Sequence, residues 1–358
     1  MTIKQSVLRV ARGLGLFWLA ERLTAHGVRI LCYHGISLDR EHEYRGKLFM
    51  MPATFERRLR LLHKKKGFRV VSLDDAVQSL EQKRTLSRAV VITFDDGWLG
   101  TFRHALPALQ RLGWPSTHYI ATSTVVARVP VFDVALGYLF WASKRKRVDL
   151  VSVDKRLSGS FSLPPDASRA FDAVDQFARA AGEEEKADLL RRTSLALGVD
   201  FSEIDRHGLF RLMTPSQIRE AAQAGADIQL HTHSHRFSVT ERELINREIA
   251  ENRAVLRALT DSSLQHFCYP SGVFHPRVYP WLRSAGVRSA TTCQAGFNYP
   301  DTNPFELRRF LDGEDVSEIE FEAYMSGLLE LARMSGVLKL ARTFRARVRG
   351  ERISPAPH

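Results

Sequence analysis

The chain has 358 residues, 44% of them hydrophobic and 26% charged, which excludes wholesale disorder, a collagen-like repeat and a coiled coil and leaves room for one large domain or two ordinary ones. A formal net charge of +12 favours an acidic partner, whether nucleic acid, an anionic membrane surface or an acidic glycan, and does not choose among them. Cys32, Cys268 and Cys293 are the only cysteines and form no CxxC pair, which excludes a disulfide framework and a cysteine-rich zinc site and suits buried, inert thiols in a reducing compartment.

Lys4, Arg9 and Arg12 precede a short apolar stretch, Leu14 to Ala20, that Glu21 and Arg22 break. No run is long enough to span a bilayer, and no signal cleavage site is clear. Val7, Ala11, Leu14 and Trp18 recur at helical spacing, so residues 1–27 read as an amphipathic helix. Val28 to Tyr33 is the first strand signal, ending in Tyr33-His34-Gly35. A helix is expected from Thr54 as N-cap, with Phe55, Leu59 and Leu62 on one face. A short strand over Phe68 to Val71 and a helix over Asp74 to Glu81 follow.

Ala89 to Phe94 is the strongest strand, a nearly continuous apolar run of the kind buried on both faces. It ends at Asp95-Asp96-Gly97. A helix over Thr101 to Leu112 stops at Gly113, and a strand over Thr117 to Ala121 comes next. This rhythm predicts an α/β fold with parallel strands. Between residues 130 and 213 it is interrupted by a basic cluster, Lys144 to Arg147, a turn-rich part and an acidic run, Glu183 to Glu185, which read as a mainly helical insertion or cap. The pattern then resumes with a helix, Pro215 to Ala224. A strand over Asp227 to Leu230 runs into His231-Thr232-His233-Ser234-His235. A long helix over Thr240 to Leu259 is followed by a strand over Gln265 to Tyr269, ending at Pro270-Ser271-Gly272. A helix through Trp281 and a strand over Arg288 to Thr292 complete another unit. Residues 326–358 read as a basic C-terminal helix and tail, with Val337, Ala341, Phe344 and Val348 on one face and Arg342, Arg345 and Arg349 beside them. Such a tail suits a membrane surface or an acidic partner, or equally a solvated helix docked on the domain.

Three strands thus end in ionisable or turn-forming clusters, and in α/β barrels the active site gathers at the carboxyl ends of the strands. Asp95 and Asp96 repel each other and need a partner there. A metal ion is one, and an N-cap plus a solvated turn is the plainer alternative. His231 and His235, four apart, can aim both imidazoles at one ion from a helical turn or a tight loop. Two histidines and a carboxylate leave coordination positions open, as in catalytic zinc sites and in non-haem iron oxygenases. A second aspartate able to take a proton from water favours metal-assisted hydrolysis.

Thr93-Phe94-Asp95-Asp96-Gly97 followed by His231-Thr232-His233-Ser234-His235 resembles the polysaccharide deacetylase family, the NodB-homology or carbohydrate esterase four group. Gly113-Trp114-Pro115-Ser116-Thr117, Phe267-Cys268-Tyr269-Pro270-Ser271-Gly272 and Tyr33-His34 add to the likeness, which covers roughly residues 28–126 and 214–312. The resemblance implies a distorted (β/α) barrel of about seven strands over residues 28–325, carrying the helical insertion 130–213, with terminal helices. It implies a metal-dependent hydrolase of linear amide C–N bonds that removes N-acetyl groups from an amino sugar in a polysaccharide, oligosaccharide or lipid-linked glycan. Asp95 would be the base. Asp96, His231 and His235 would ligate a divalent metal, Zn2+ by preference. Water on that metal would attack the amide, and the backbone N–H of Ser271 would hold the oxyanion.

Two departures stand out. Cys268 occupies the place where the family often has an arginine that tunes the base, so the partner of Asp95 is open. No late Leu-x-His motif supplies a general acid. His34 is the candidate proton donor, and a structural histidine in the turn is the alternative. Hydrolysis of another amide, such as N-formyl, and a catalytically impaired metal- or glycan-binding protein are the competing readings. The expected partners are a carbohydrate, anionic or lipid-linked among the options, and a membrane surface touched peripherally. No nucleic-acid-binding signature is evident. The expected location is the cytoplasm, at the inner face of the membrane.

Overall fold

A computed structural model describes residues 2–65 and 67–336 of the chain. Its centre is a parallel sheet of seven principal strands among the described residues: β1 (Arg29–Tyr33), β2 (Ala89–Phe94), β3 (Thr117–Ile120), β4 (Asp227–Leu230), β5 (His266–Cys268), β6 (Ser289–Thr291) and β7 (Phe310–Leu311). They lie side by side in the order β6-β5-β4-β3-β2-β1-β7, and Arg69–Val70 adds a short parallel pairing to the start of β2. Every pairing in this sheet is parallel, as expected for strands joined through helices. The two ends of the sheet meet through one segment. Leu307 bridges Thr291 of β6, and three residues later Phe310 pairs with Leu31 of β1. The sheet therefore curls into a distorted (β/α) barrel.

Alternation along each strand sorts side chains between the lumen and the outer wall. In β2, Val90, Ile92 and Phe94 pack outward with Phe55, Leu59 and Leu62 of the helix Pro52–Lys64. Ala89 and Val91 share the other face with Ile30, Tyr119, Cys268 and Leu307. All six residues of β2 are buried, matching the nearly continuous apolar run. The helix Pro52–Lys64 begins two residues before the expected Thr54 cap. Pro52 takes its first turn, where a missing N–H costs nothing.

The insertion is mainly helical, with Phe132–Ala142, Ala167–Ala178, Glu183–Leu197 and Phe201–His207, and it adds an antiparallel hairpin of Arg147–Asp149 with Ser160–Ser162. Its apolar residues, among them Leu136, Leu139, Val174, Leu190 and Leu197, belong to the same core cluster as Ile228 and Leu230 of β4. The cap is thus packed on the barrel rather than tethered to it.

At the N-terminus the expected single helix is two, Ile3–Gly13 and Leu16–Leu23, separated by Gly15 in a left-handed conformation. The buried residues are Leu8, Ala11, Phe17 and Ala20. Of the expected stripe only Ala11 is buried, and Val7, Leu14 and Trp18 face outward. No helix among the described residues is long and apolar enough to cross a membrane. The expected tail face, Val337 to Val348, lies outside the described residues; within them the last helix is Leu328–Met334.

Two imidazoles sit deep in this barrel. His118 stacks on Phe94, with ring centroids 4.8 Å apart, and burial pushes its pKa down to about 3. His266 is held by the Ser289 hydroxyl, and burial lowers its pKa to about 4 despite Asp74. Both are neutral when folded and take up protons on unfolding. Their contribution is complete above their ordinary pKa of 6.5 and is lost as pH falls from there toward 4 and 3. We expect unfolding free energy to drop by about 2 kcal/mol per imidazole between pH 7 and pH 5. Denaturant midpoints measured across that range check this, and a flat profile would contradict it.

Candidate active site

The same alternation assembles the site. The residues of lumen parity at the carboxyl ends of the strands are Cys32 and His34 after Ile30, Asp95 after Val91 and Thr93, His231 after Gln229, and Cys268 after His266. Arg309, just before β7, continues the lumen parity of Leu307. They converge because each strand delivers its next inward position to one mouth.

Asp95 is buried and clamped. Arg309 Nη1 donates to its Oδ1 at 2.7 Å and Nη2 to its Oδ2 at 2.8 Å, a two-pronged ion pair with both side chains out of solvent. The guanidinium is itself anchored by donation to the Thr292 carbonyl, 3.0 Å, and to Thr93 Oγ1, 3.3 Å. Two thiols complete the shell, with Cys268 Sγ 3.4 Å and Cys32 Sγ 3.5 Å from Asp95 Oδ2. Burial pushes the Cys32 thiol well up, so it stays protonated and donates. Burial alone would raise the Asp95 pKa. The charge and hydrogen bonds of Arg309 outweigh it, aided by His34 and His231, and hold the carboxyl well below the usual carboxylate range. The partner left open by Cys268 is therefore Arg309, delivered from the segment just before β7. Cys32 and Cys268 are buried as expected, but they touch the central carboxylate; Cys293 lines the cleft and is only partly buried.

Asp96 turns away from its neighbour because its backbone is left-handed, φ 70°. Its Oδ1 lies 3.1 Å from His231 Nε2 and 3.5 Å from His235 Nε2, and its Oδ2 accepts from the Trp98 indole at 2.8 Å. Burial works against its charge, but the His231 contact and the fields of His235 and His34 prevail and keep it low. One donor atom from each of Asp96, His231 and His235 lies within 4.8 Å of the other two, a group that could hold a metal ion. The chemistry of the set supports that. His231 Nδ1 donates to the Cys268 carbonyl at 2.9 Å, which leaves the lone pair of the neutral ring on Nε2, aimed at a carboxylate oxygen. Two lone pairs face each other there, and a cation or a proton must lie between them.

The histidine segment is a loop and not a helix, with Thr232 and His235 both at positive φ. Such strain persists only where the surroundings impose it. Here the helix Arg242–Arg257 does so. Asn252 accepts from the His231 N–H at 3.0 Å and donates to the Ile120 carbonyl and Thr122 Oγ1. Glu248 takes the Ser234 N–H at 2.7 Å and its hydroxyl. His233 points elsewhere, with Nδ1 2.9 Å from Thr122 Oγ1, and ties the loop to the end of β3. Asn252 and Glu248 escaped the sequence reading, although both fall on the stripe of Ile245, Ile249 and Leu256, where a buried polar residue implies a partner.

His34 stands on the cleft wall, with Nε2 3.8 Å from Asp95 Oδ2. Its carbonyl accepts from Thr101 Oγ1, and Gly100 packs so close to the adjoining loop that a Cβ would lie 1.7 Å from the Ile36 carbonyl oxygen. Any other residue at position 100 would force the backbone at Ile36 to shift. Ser271 also lines the cleft, at φ 55°. Its turn is closed by donation from Gly272 to Tyr269 and from Val273 to Pro270, so the Ser271 N–H is not spent on it. His118 is in the core and His104 is outside the cleft lining.

The cleft has a volume of about 430 Å³. It is lined by Asp95, Asp96, His231 and His235, by Leu48 and Trp98, and by Val131, Phe132, Val134 and Leu212 of the insertion. Trp98→Phe keeps the ring and deletes the hydrogen bond to Asp96. We expect affinity for a divalent cation to fall about 10- to 100-fold, read by chelator competition, as for other losses of a group that orients a ligand. Unchanged affinity would show that Asp96 needs no such support.

Residues 82–151 and 183–290 match the sequence model of the polysaccharide deacetylase family. The family that the sequence matches is one of hydrolases acting on linear amide C–N bonds. The chain belongs to that family; the unmatched stretch between the two segments falls in the insertion. A comparison with curated proteins gives no match. Three solved structures share the fold: the Streptococcus pyogenes deacetylase PplD in complex with acetate (TM-score 0.53, 15% identity, 85% of this chain and 96% of that one), IcaB from Ammonifex degensii (0.54, 19%, 84% and 97%), and the Bacillus cereus polysaccharide deacetylase BC0361 (0.51, 16%, 84% and 69%).

Proposed function

We propose that this protein removes N-acetyl groups from an amino sugar of a polysaccharide, oligosaccharide or lipid-linked glycan, with Asp95 as the general base. One observation carries the reading. In the lining of a single cleft, a carboxylate kept ionised by Arg309 adjoins the three-donor group of Asp96, His231 and His235. Those three residues would hold a divalent ion, Zn2+ being favoured by two imidazoles and a carboxylate, and such an ion would lower the pKa of water and polarise an acyl carbonyl.

The chain's own groups supply the rest. Asp95 accepts a proton from the attacking water. Arg309 fixes both oxygens of Asp95, so its orientation is set before substrate arrives. The Ser271 N–H donates to the oxygen that gains charge as the carbonyl carbon becomes tetrahedral. His34, on the wall beside Asp95, hands a proton to the departing amine. The apolar walls exclude water around the acyl group.

The test is acetate release from a panel of N-acetylated glycans and lipid-linked sugars, with and without a chelator. We expect release from at least one glycan, abolished by the chelator. Formate release from N-formyl sugars alone would replace the acyl group in this reading. Tight glycan binding with no release would replace the reading itself.

A further inference from the structure

The N-terminal helical pair presents an apolar ridge that the catalytic reading does not use. Ile3, Val7, Val10, Leu14, Leu16, Trp18, Leu19 and Leu23 are exposed by 40 to 85% of their surface. They are eight of the fifteen large hydrophobic side chains exposed among the described residues, so this is a patch and not scatter. At about 100° per residue, Ile3, Val7, Val10 and Leu14 fall within about 60° of helical arc. The adjoining flank, Leu8 and Ala11, is seated with Phe17 on Ile319 and Ala323 of the helix Glu318–Ser326. One flank therefore fixes the pair to the barrel while another stays bare.

On the helical wheel Lys4 and Arg9 stand on the two sides of the ridge, and Arg12 lies on the far face. Lys4, Arg9, Arg12 and Arg22 come from this segment, and Glu21 is its only acid. Glu21 is turned inward to Lys65 and Arg88. Lys4 and Arg12 reach Glu320 and Glu322 with about half of their side chains still exposed. Arg22 lies over the exposed Trp18 ring at 4.0 Å, an aromatic–cation pair at the edge of the ridge.

We propose that this face docks on an anionic lipid bilayer, the apolar ridge entering the headgroup–acyl boundary and the cations meeting lipid phosphates. A helical pair with a bare apolar arc, a tryptophan and basic side chains beside it fits that interface. A second copy of the chain is the poorer occupant, because it would set the same basic side chains against themselves. None of the ridge residues lines the cleft. The proposal stands apart from the deacetylase reading, and its test involves no turnover.

The experiment is flotation of the full chain with phosphatidylcholine vesicles and with vesicles that also contain phosphatidylglycerol. We expect flotation with the anionic vesicles alone, weakened by added salt. The double variant L14E/W18E, with circular dichroism confirming its fold, is expected to bind at least roughly tenfold more weakly. Arg22→Glu, which leaves the apolar ridge whole, is expected to bind several-fold more weakly. No flotation of the wild type would overturn the proposal, as would L14E/W18E floating like the wild type. A wild-type dimer in light scattering that L14E/W18E converts to monomer would assign the ridge to a second copy and overturn it too.

Discussion

Asp95→Asn is expected to lower acetate release by about 10²- to 10⁴-fold, the range typical of a positioned general base, while the protein retains its bound metal. His231→Ala is expected to lose both. The contrast follows from geometry, because Asp95 points into the lumen toward Arg309 whereas His231 points its Nε2 at Asp96. Asn at 95 can accept with one oxygen only, so one of the two Arg309 hydrogen bonds is lost and a buried cation loses its counter-charge. Breaking a buried pair in this way costs about 3–5 kcal/mol, so a lowered melting temperature is expected alongside the lost rate. Metal content by elemental analysis, thermal unfolding and acetate release on the same preparation separate these effects. Normal turnover in Asp95→Asn would remove Asp95 from the role of base.

Arg309→Met should be nearly as damaging, although Arg309 itself is one residue removed from the cleft lining. The substitution keeps the length and deletes the charge. Burial, which now opposes ionisation of Asp95 without the guanidinium to offset it, drives the carboxyl pKa up. The sign is fixed. In the wild type, Asp95 stays ionised to well below the usual carboxylate range, and the stability it confers is present above that range and lost only as pH falls through its depressed folded value. In Arg309→Met the carboxyl protonates at higher pH, so the acid limb of kcat/KM moves toward neutrality and the rate at a fixed acidic pH falls. The variant also loses about 3–5 kcal/mol of stability from the unpaired carboxylate. Arg309→Lys restores charge without the two-pronged geometry, and an intermediate acid limb is expected. An acid limb unchanged in Arg309→Met would show that Arg309 does not govern Asp95.

How far the sequence discloses such a site depends on strand length. The barrel, the insertion and the three polar strand ends are legible because β2 carries a nearly continuous apolar run that finishes at Asp95-Asp96 and because β4 runs straight into the cluster that begins at His231. β7 is two residues long and leaves no periodicity to read, so Arg309 escapes although it alternates with Phe310 and continues the inward parity of Leu307. A family motif directs attention to position 268 for the arginine, whereas the closed barrel can deliver the same charge from its last strand. The histidine loop shows a different limit. Spacing of four suits a helical turn, and the observed loop reaches the same convergence through Thr232 and His235 at positive φ, held by Asn252 and Glu248. That dependence on a distant helix is invisible to local spacing. The N-terminal stripe shows a third. Periodicity identifies an amphipathic helix, but only packing shows that the smaller Leu8–Ala11 flank is the one docked.

The most direct test of the central claim is acetate release from an N-acetylated oligosaccharide by protein first stripped with a chelator and then titrated with Zn2+. The account predicts no release after stripping, recovery in proportion to added ion, and saturation when each chain holds a single ion, with His231→Ala unresponsive throughout. Full release by the stripped protein, with no metal detected in it, would contradict the account.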